Sequence, residues 1–335
     1  MTIVKTESVM LQNLCIPCAC RCRYCLLSWD GKPVGIDDET GEEYARRFHE
    51  WIREHRPELR FSYSFGYSMD HPRLFQAIDF LRSIGSPGAE FLQMDGMAFR
   101  QEEEAASLMR GLREHGVKTL NFTFYGQEAY HDRFAGRRGD HAYLLQLGRC
   151  ARAEGLNTTA GIPLTKENIA GINACVVFLQ KEGFDPITLF IPHEEGRGAS
   201  IADLRLSEED LSLLDQNTAA LLNPEVYRTE RDWVRRGTKP LERRALLLSL
   251  TPETFERFSR MDFADVIRYG EELDETYYRA FPSESALIER YGDPEGDRLY
   301  RLRDLLHHYR KRHILDHALS LHDVTDERFC GSRRY

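Results

Sequence analysis

Cys18-Ala19-Cys20-Arg21-Cys22-Arg23-Tyr24-Cys25 follows closely on the apolar stretch 9–14, and Cys18, Cys22 and Cys25 have three and then two residues between them. A loop this tight can aim three thiolates at three corners of a cubane, and iron–sulfur clusters are held by cysteine sulfur at such short intervals. Three local ligands leave the fourth iron an open position for a substrate or cofactor, as catalytic metal sites do. Two other readings stay open. Thiolates at Cys-x2-Cys spacing also suit tetrahedral zinc, although no second such pair follows downstream. Cys15 and Cys20 permit a different ligand choice, in which Cys15-x2-Cys18 is followed by Cys22-x2-Cys25.

Outward from this loop, short apolar segments at 9–14, 61–65, 90–94, 119–124, 156–162 and 187–191 alternate with amphipathic ones. That alternation is the pattern of strand–helix units around a parallel sheet. Leu74, Ile78 and Leu81 recur at helical intervals, as do Tyr143, Leu147 and Cys150, and then Ile169, Ile172, Val176 and Leu179, so these stripes are expected to face the sheet. The fold class expected is α/β, a partial (β/α)6 TIM-like barrel over 1–203 with a mainly helical C-terminal extension over 204–335. In the extension, Ser207 is expected to cap a helix through Leu222, Thr251 to start another, and Arg236-Gly237-Thr238-Lys239-Pro240 to break the chain. The extension is expected to close the open side of the barrel and shape the substrate pocket.

Chemistry in a parallel barrel collects at the carboxyl ends of the strands. The cysteine loop follows the first strand, Gly66-Tyr67-Ser68 the second, Asp95-Gly96 the third and Tyr125-Gly126 the fourth; Gly161-Ile162-Pro163 ends the fifth, and the run from Pro192 to Gly198 follows the sixth.

The 335 residues include 8 cysteines, five of them between Cys15 and Cys25. A clustered set in a long chain points to metal or catalysis, whereas disulfide frameworks belong to small secreted chains. With no signal-like N-terminus and no apolar run near membrane length, a cytoplasmic location without membrane contact is expected. A net charge of -9 with 30% charged residues provides no positive field for nucleic acid. The basic patches Arg310-Lys311-Arg312 and Arg333-Arg334 read as solvated helix and tail charges. Cys150 and Cys175 lie in apolar stripes and read as buried small hydrophobes.

The chain resembles the radical S-adenosylmethionine (radical SAM) enzymes, whose hallmark Cys-x3-Cys-x2-Cys is matched by Cys18, Cys22 and Cys25 and whose aromatic residue before the third cysteine is matched by Tyr24. Phe122-Thr123-Phe124-Tyr125-Gly126, His131-Asp132 and Gly136-Arg137-Arg138-Gly139 resemble the fourth-strand region of its peptide-modifying branch, and Gly196-Arg197-Gly198 the sixth-strand motif. The similarity spans roughly 9–202. The resemblance implies a 4Fe-4S cluster on the three cysteines, S-adenosyl-L-methionine on the open iron, and an external reductant such as a flavodoxin or ferredoxin. It implies reductive cleavage of the cofactor to a 5'-deoxyadenosyl radical that takes a hydrogen atom from a peptide or a small metabolite.

Carried onto this chain, the resemblance puts Tyr24 near the adenine and Thr123, with its hydroxyl, on the ribose. Asp95 would meet ribose or substrate, and Arg138 or its neighbour Arg137 the methionine carboxylate. Ile162, Pro192 and Gly196 would border the cofactor at the ends of the fifth and sixth strands. The family's Gly-Gly-Glu-Pro motif aligns with Phe65-Gly66-Tyr67-Ser68, which keeps only the second glycine, so Gly66 and Tyr67 would receive the methionine amino group through backbone rather than carboxylate. Cys330, outside any periodic helix, reads either as a tail thiol or, as in the epimerising members of the family, as a donor that returns a hydrogen atom to a substrate radical. With one cysteine in the extension there is no auxiliary-cluster motif, which favours a redox-neutral epimerisation or rearrangement. A noncatalytic iron–sulfur protein for electron transfer or redox sensing, and a degenerate cofactor-binding scaffold, are the rival functions.

Overall fold

Six apolar segments pair as parallel strands in the computed structural model, which describes residues 4–15, 18–25, 34–66, 69–238, 243–321 and 331–334. They are β1 (Lys5–Gln12), β2 (Arg60–Ser64), β3 (Phe91–Gln93), β4 (Thr119–Thr123), β5 (Asn157–Pro163) and β6 (Ile187–Phe190). Helix α1 (Asp38–His55) follows β1, α2 (Leu74–Ser83) follows β2 and α3 (Glu102–Glu114) follows β3; α4 (Glu128–Ala135) and α5 (Asp140–Ala153) follow β4, and α6 (Ile172–Lys181) follows β5. The expected strands and helical stripes are all present, with ends shifted by a few residues. β1 pairs with β2, and β3 to β6 pair in chain order, but β2 and β3 are not hydrogen-bonded neighbours. The result is an open, partial barrel in two sheets.

Alternation along the strands decides what lies inside. Val9 and Leu11 of β1 and Leu120 and Phe122 of β4 are fully buried under the helices, each such burial contributing about 1.5–3 kcal/mol. The residues between them, Met10, Gln12, Asn121 and Thr123, take the inner face by the period of two. Helix α1 starts where the Asp37 side chain accepts from Thr40 N at 2.9 Å, with Asp38 and Glu39 in its first turn and Arg53 and His55 in its last, charges that suit the helix dipole.

The extension holds α7 (Gln216–Ala219), β7 (Arg228–Thr229), α8 (Glu230–Arg236), β8 (Arg243–Ser249), α9 (Pro252–Phe258), α10 (Phe263–Arg279), α11 (Glu284–Tyr291), β9 (Leu299–Tyr300), α12 (Leu302–Asp316) and β10 (Gly331–Arg334). It is richer in strand than its sequence suggests, because β8 lies parallel beside β1 and β10 runs antiparallel along β8. Arg244 ties this seam together through Thr6 at 3.0 Å and Asp274 at 2.6 Å.

Thr251 does cap α9, in a capping box with Thr254 and Pro252 at its first position. Ser207 does not start a long helix. The backbone turns extended at Leu214, where Asn173 Nδ2 donates to Leu213 O at 3.0 Å and Asn173 Oδ1 accepts from Asp215 N at 3.1 Å, replacing the helical bonds. Arg310 is no solvated charge: it is buried, bonds Glu284 at 2.9 Å and lies over the Tyr278 ring. No helix among the described residues is long and apolar enough to cross a membrane.

Candidate functional site

The loop carrying the cysteines leaves β1 through Asn13, whose buried side chain closes its base. Asn13 N donates to Ser64 O at 2.7 Å, its Oδ1 accepts from Ile36 N at 3.0 Å and its Nδ2 donates to Tyr63 Oη at 3.2 Å. Val34 N and Gly35 N both donate to Leu14 O at 3.0 Å. Exit and return of the chain are thereby pinned on the top of β1 and β2.

The body of the loop is held by the neighbouring strand ends. Ala19 N donates to Gly96 O at 2.7 Å, Arg21 N to Ala135 O at 2.7 Å, and Arg23 N to Phe134 O at 3.0 Å. Arg197 N donates to Cys25 O at 3.0 Å and its Nε to Cys22 O at 2.9 Å. Tyr125 Oη donates to Cys22 Sγ at 3.0 Å. Gly96 has φ +74°, and any Cβ there would overlap the Cys18 sulfur, so the turn after β3 is shaped to that thiol.

The described cysteines are all free thiols. Cys15 stands apart: its Sγ donates to Phe65 O at 3.5 Å, and burial with the nearby Asp38 pushes its thiol up to about 12. Cys20 is 3% exposed, with its sulfur 3.8 Å from both carboxylate oxygens of Asp140. Asp140 also takes His131 Nε2 at 3.1 Å and Arg137 Nη1 at 3.2 Å, while His131 Nδ1 accepts from Tyr125 N at 3.1 Å. These bonds assign His131 the Nε2–H tautomer and anchor the middle of the loop on α4 and α5. Cys18, Cys22 and Cys25 are left partly accessible at the strand ends.

The donor set suits an iron–sulfur cluster. Three thiolates at this spacing can each take a corner of a cubane; among the described residues no three His, Cys, Asp or Glu side chains stand grouped around a single point. Gly96 fits against the Cys18 thiol, and Arg197 fixes the backbone carbonyls of Cys22 and Cys25.

Tyr24 sits in an aromatic cage, 5.7 Å from the Tyr125 ring centroid, 6.0 Å from Phe134 and 6.1 Å from Phe190. Asp95 and Thr123 are joined directly: Asp95 accepts from Thr123 N at 2.9 Å and from Thr123 Oγ1 at 2.6 Å, and also from Gln93 Nε2. Burial raises the Asp95 carboxyl to about 6, against the opposing pull of the Thr123 and Gln93 bonds. The ladder continues inward, Asn121 Nδ2 donating to Gln93 Oε1 at 2.7 Å and Thr159 Oγ1 to Asn121 Oδ1 at 2.7 Å.

Other expected residues are placed differently. Arg137, and not Arg138, is tied into the site, through Asp140, Met97 O at 2.6 Å and the Phe99 ring; Arg138 is exposed. The Ile162 side chain lies in the core beneath the sheet, so only its backbone faces the rim. Pro192 gives its carbonyl to Arg205 Nη2 at 2.8 Å. Gly66 and Gly196 hold positive φ at 118° and 56°. Tyr67 and Cys330 lie outside the described residues. Gly96, Tyr125, His131 and Arg197 stand in the motifs given above and Asp140 in none, yet no individual role follows for them from sequence, because the cysteines met by Tyr125, Asp140 and Arg197 lie 103, 120 and 175 residues away.

No family model matches the sequence, and no curated protein matches it. Solved structures similar to this one include coproporphyrinogen III oxidase (HemN) from Escherichia coli, at 15% identity and TM-score 0.46 over 75% of this chain and 64% of that one. Native anSMEcpe with bound AdoMet matches at 15% identity and TM-score 0.41 over 62% of this chain and 58% of that one. Streptococcus suis SuiB bound to precursor peptide SuiA matches at 12% identity and TM-score 0.45 over 63% and 44%. The first of these, HemN, is a radical SAM enzyme. This chain spans less than two thirds of the length of each.

Proposed function

We propose that this chain is a radical SAM enzyme that holds a 4Fe-4S cluster on Cys18, Cys22 and Cys25 and binds S-adenosylmethionine at the rim of the strands. The observation that carries the proposal is the cysteine loop itself: three thiols at the hallmark spacing, at the carboxyl end of a parallel sheet, with Gly96 shaped to Cys18. When bound, cluster and cofactor supply one-electron cleavage of the sulfonium and a 5'-deoxyadenosyl radical able to take hydrogen from an unactivated carbon.

The chain's own residues position and exclude. Tyr24 and its cage present an apolar face beside the cysteines that suits an adenine. Thr123 offers its remaining oxygen lone pair, and Asp95 an acceptor, for ribose hydroxyls. Gly66 would receive an ammonium group through its backbone carbonyl, in place of the glutamate of the family motif. Below them Gln93, Asn121 and Thr159 line the inner wall with neutral donors and acceptors, which supports a substrate recognised by hydrogen bonds, a peptide or a small metabolite. Reaction outcome is proposed as redox-neutral, with Cys330 as candidate hydrogen donor.

Anaerobic reconstitution with iron and sulfide, then dithionite and S-adenosylmethionine, is expected to yield 5'-deoxyadenosine and methionine. Alanine at Cys18, Cys22 or Cys25 should abolish the product, while Cys15→Ala should retain it. A cluster that assembles without cleaving the cofactor would favour the electron-transfer reading, and failure to bind the cofactor the scaffold reading. Full product from Cys18→Ala would overturn the ligand set.

A further inference from the structure

We propose that α12 of the extension is the outer end of a strut that sets the position of Cys22 and Cys25, with Asp304, His193, Arg205 and Arg197 as its joints. The part concerning a bound cluster rests on the function proposed above; the part concerning the loop does not.

The strut starts in the first turns of α12. His193, three residues beyond β6, donates from Nδ1 to Asp304 Oδ1 at 2.9 Å and accepts at Nε2 from Arg303 Nη2 at 3.3 Å. These two contacts are satisfied together by one neutral tautomer. Glu195 meets His307 Nε2 at 3.2 Å, and Glu194 meets His308 Nδ1 at 3.5 Å. Three consecutive residues of the segment after β6 are thus each paired with α12.

Arg205 locks the same segment from below. Its buried guanidinium bonds Glu194, the Pro192 carbonyl at 2.8 Å and the Leu299 carbonyl of β9 at 2.8 Å, and lies 4.3 Å from the Tyr300 ring centroid. A planar fork with this many fixed partners tolerates little movement.

The inner end is Arg197. Between it and the pairs just described the chain is folded tightly on itself: Gly198 N donates to Glu195 O at 2.9 Å, and a Cβ on Gly198 would overlap the His193 carbonyl. A displacement at 193–195 is therefore passed to Arg197, which holds the carbonyls of Cys22 and Cys25. Cys18 is outside this path, since its support is Gly96. In this arrangement α12 acts on the ligand loop through the segment 193–197, whose Arg197 bonds go to the loop's backbone.

The test uses the full chain and pulse alkylation with iodoacetamide, read residue by residue by mass spectrometry. In Asp304→Ala and in Arg197→Ala, alkylation of Cys22 and Cys25 is expected to rise roughly tenfold, as follows when a charge-assisted bond is removed from a closed local state. Cys18 should change less, the buried Cys150 and Cys175 not at all, and Asp304→Glu should return the parent rates. In reconstituted protein, the same two alanine variants should lose iron to a chelator faster than the parent. Unchanged rates at Cys22 and Cys25 in both variants would overturn the proposal, as would a parallel rise at Cys150 and Cys175, which marks general unfolding. A parent that takes up no iron would sink the cluster assignment while the alkylation result still decides on the strut.

Discussion

The two sheets of the barrel divide the work unevenly. The sheet of β1, β2, β8 and β10 carries the cysteine loop and is held by apolar burial: Val9 and Leu11 pack with α1, and Phe48 of α1 stacks on Phe263 of α10 at 4.7 Å and sits 5.7 Å from Phe61 of β2. The sheet of β3 to β6 carries none of the proposed ligands, yet most of the bonds that place them come from it: Gly96, Tyr125, Phe134, Ala135 and Arg197 all follow its strands. Ligand placement therefore comes mainly from the second wall, through loop contacts that are separate from its own buried core of Leu120 and Phe122. Mutations in the aromatic packing of the first wall should lower global stability, and mutations at the loop contacts of the second should misplace the loop at small cost to the fold.

The largest effect separating the walls is expected at Phe48. It is fully buried among aromatic rings from α1, β2 and α10, so Phe48→Ala should cost about 3–5 kcal/mol in urea unfolding. Cys22 and Cys25 alkylation in the folded fraction should be unaltered. If the variant unfolded like the parent, the first wall would not be the stabilising one.

Gly96→Ala probes the second wall. At φ +74° an L-residue costs about 1–2 kcal/mol, well below the Phe48 effect. Its Cβ also displaces the Cys18 sulfur, so bound iron after reconstitution is expected to fall below half the parent value while the unfolding midpoint moves by a few degrees at most. Parent-like iron content would remove Gly96 from the site.

Acid response gives a finer contrast within the strut. Burial pushes the Glu194 carboxyl up, but the His308 hydrogen bond and the Arg205 charge and bond outweigh it, bringing the group from 4.5 down to about 2. A carboxyl depressed in the folded state contributes stability that is complete above its unfolded pKa and is lost as pH falls through the folded one. Glu194→Gln should therefore melt lower than the parent at pH 7, and the two melting curves should converge between pH 4.5 and 2. Parallel curves over that window would show that the pairing contributes nothing.

The walls also differ in how far sequence discloses them. The strands and helical stripes of the barrel are legible because period 2 and period 3.6 are local properties, and the cysteine spacing is local too. Strand β8 escapes: Ala245-Leu246-Leu247-Leu248 is a continuous apolar run, buried on both faces, and such a run reads equally as a helix segment. The contacts of the second wall escape for a different reason. Cys20 meets Asp140 across 120 residues, and Arg197 meets Cys22 across 175; nothing in a motif indicates which distant carbonyl an arginine will find. Which of Arg137 and Arg138 turns inward is a one-residue register question, fixed where the chain leaves α4 through Gly136 at φ +64°.

The smallest effect is expected at Tyr125, and it tests whether the second wall tunes the ligands as well as placing them. Its hydroxyl donates to the Cys22 sulfur at 3.0 Å. Tyr125→Phe keeps the ring that packs against Tyr24 and Phe134 and deletes only that donor, so iron content and melting temperature should match the parent. A hydrogen bond to a ligand sulfur stabilises the more negative, reduced cluster, so its loss should lower the midpoint potential of the reconstituted protein. The companion change Phe48→Ala lies on the other wall and should leave that potential where it was. An unchanged potential in Tyr125→Phe would limit the second wall to holding backbone, and a potential that moved equally in both variants would erase the distinction between the walls.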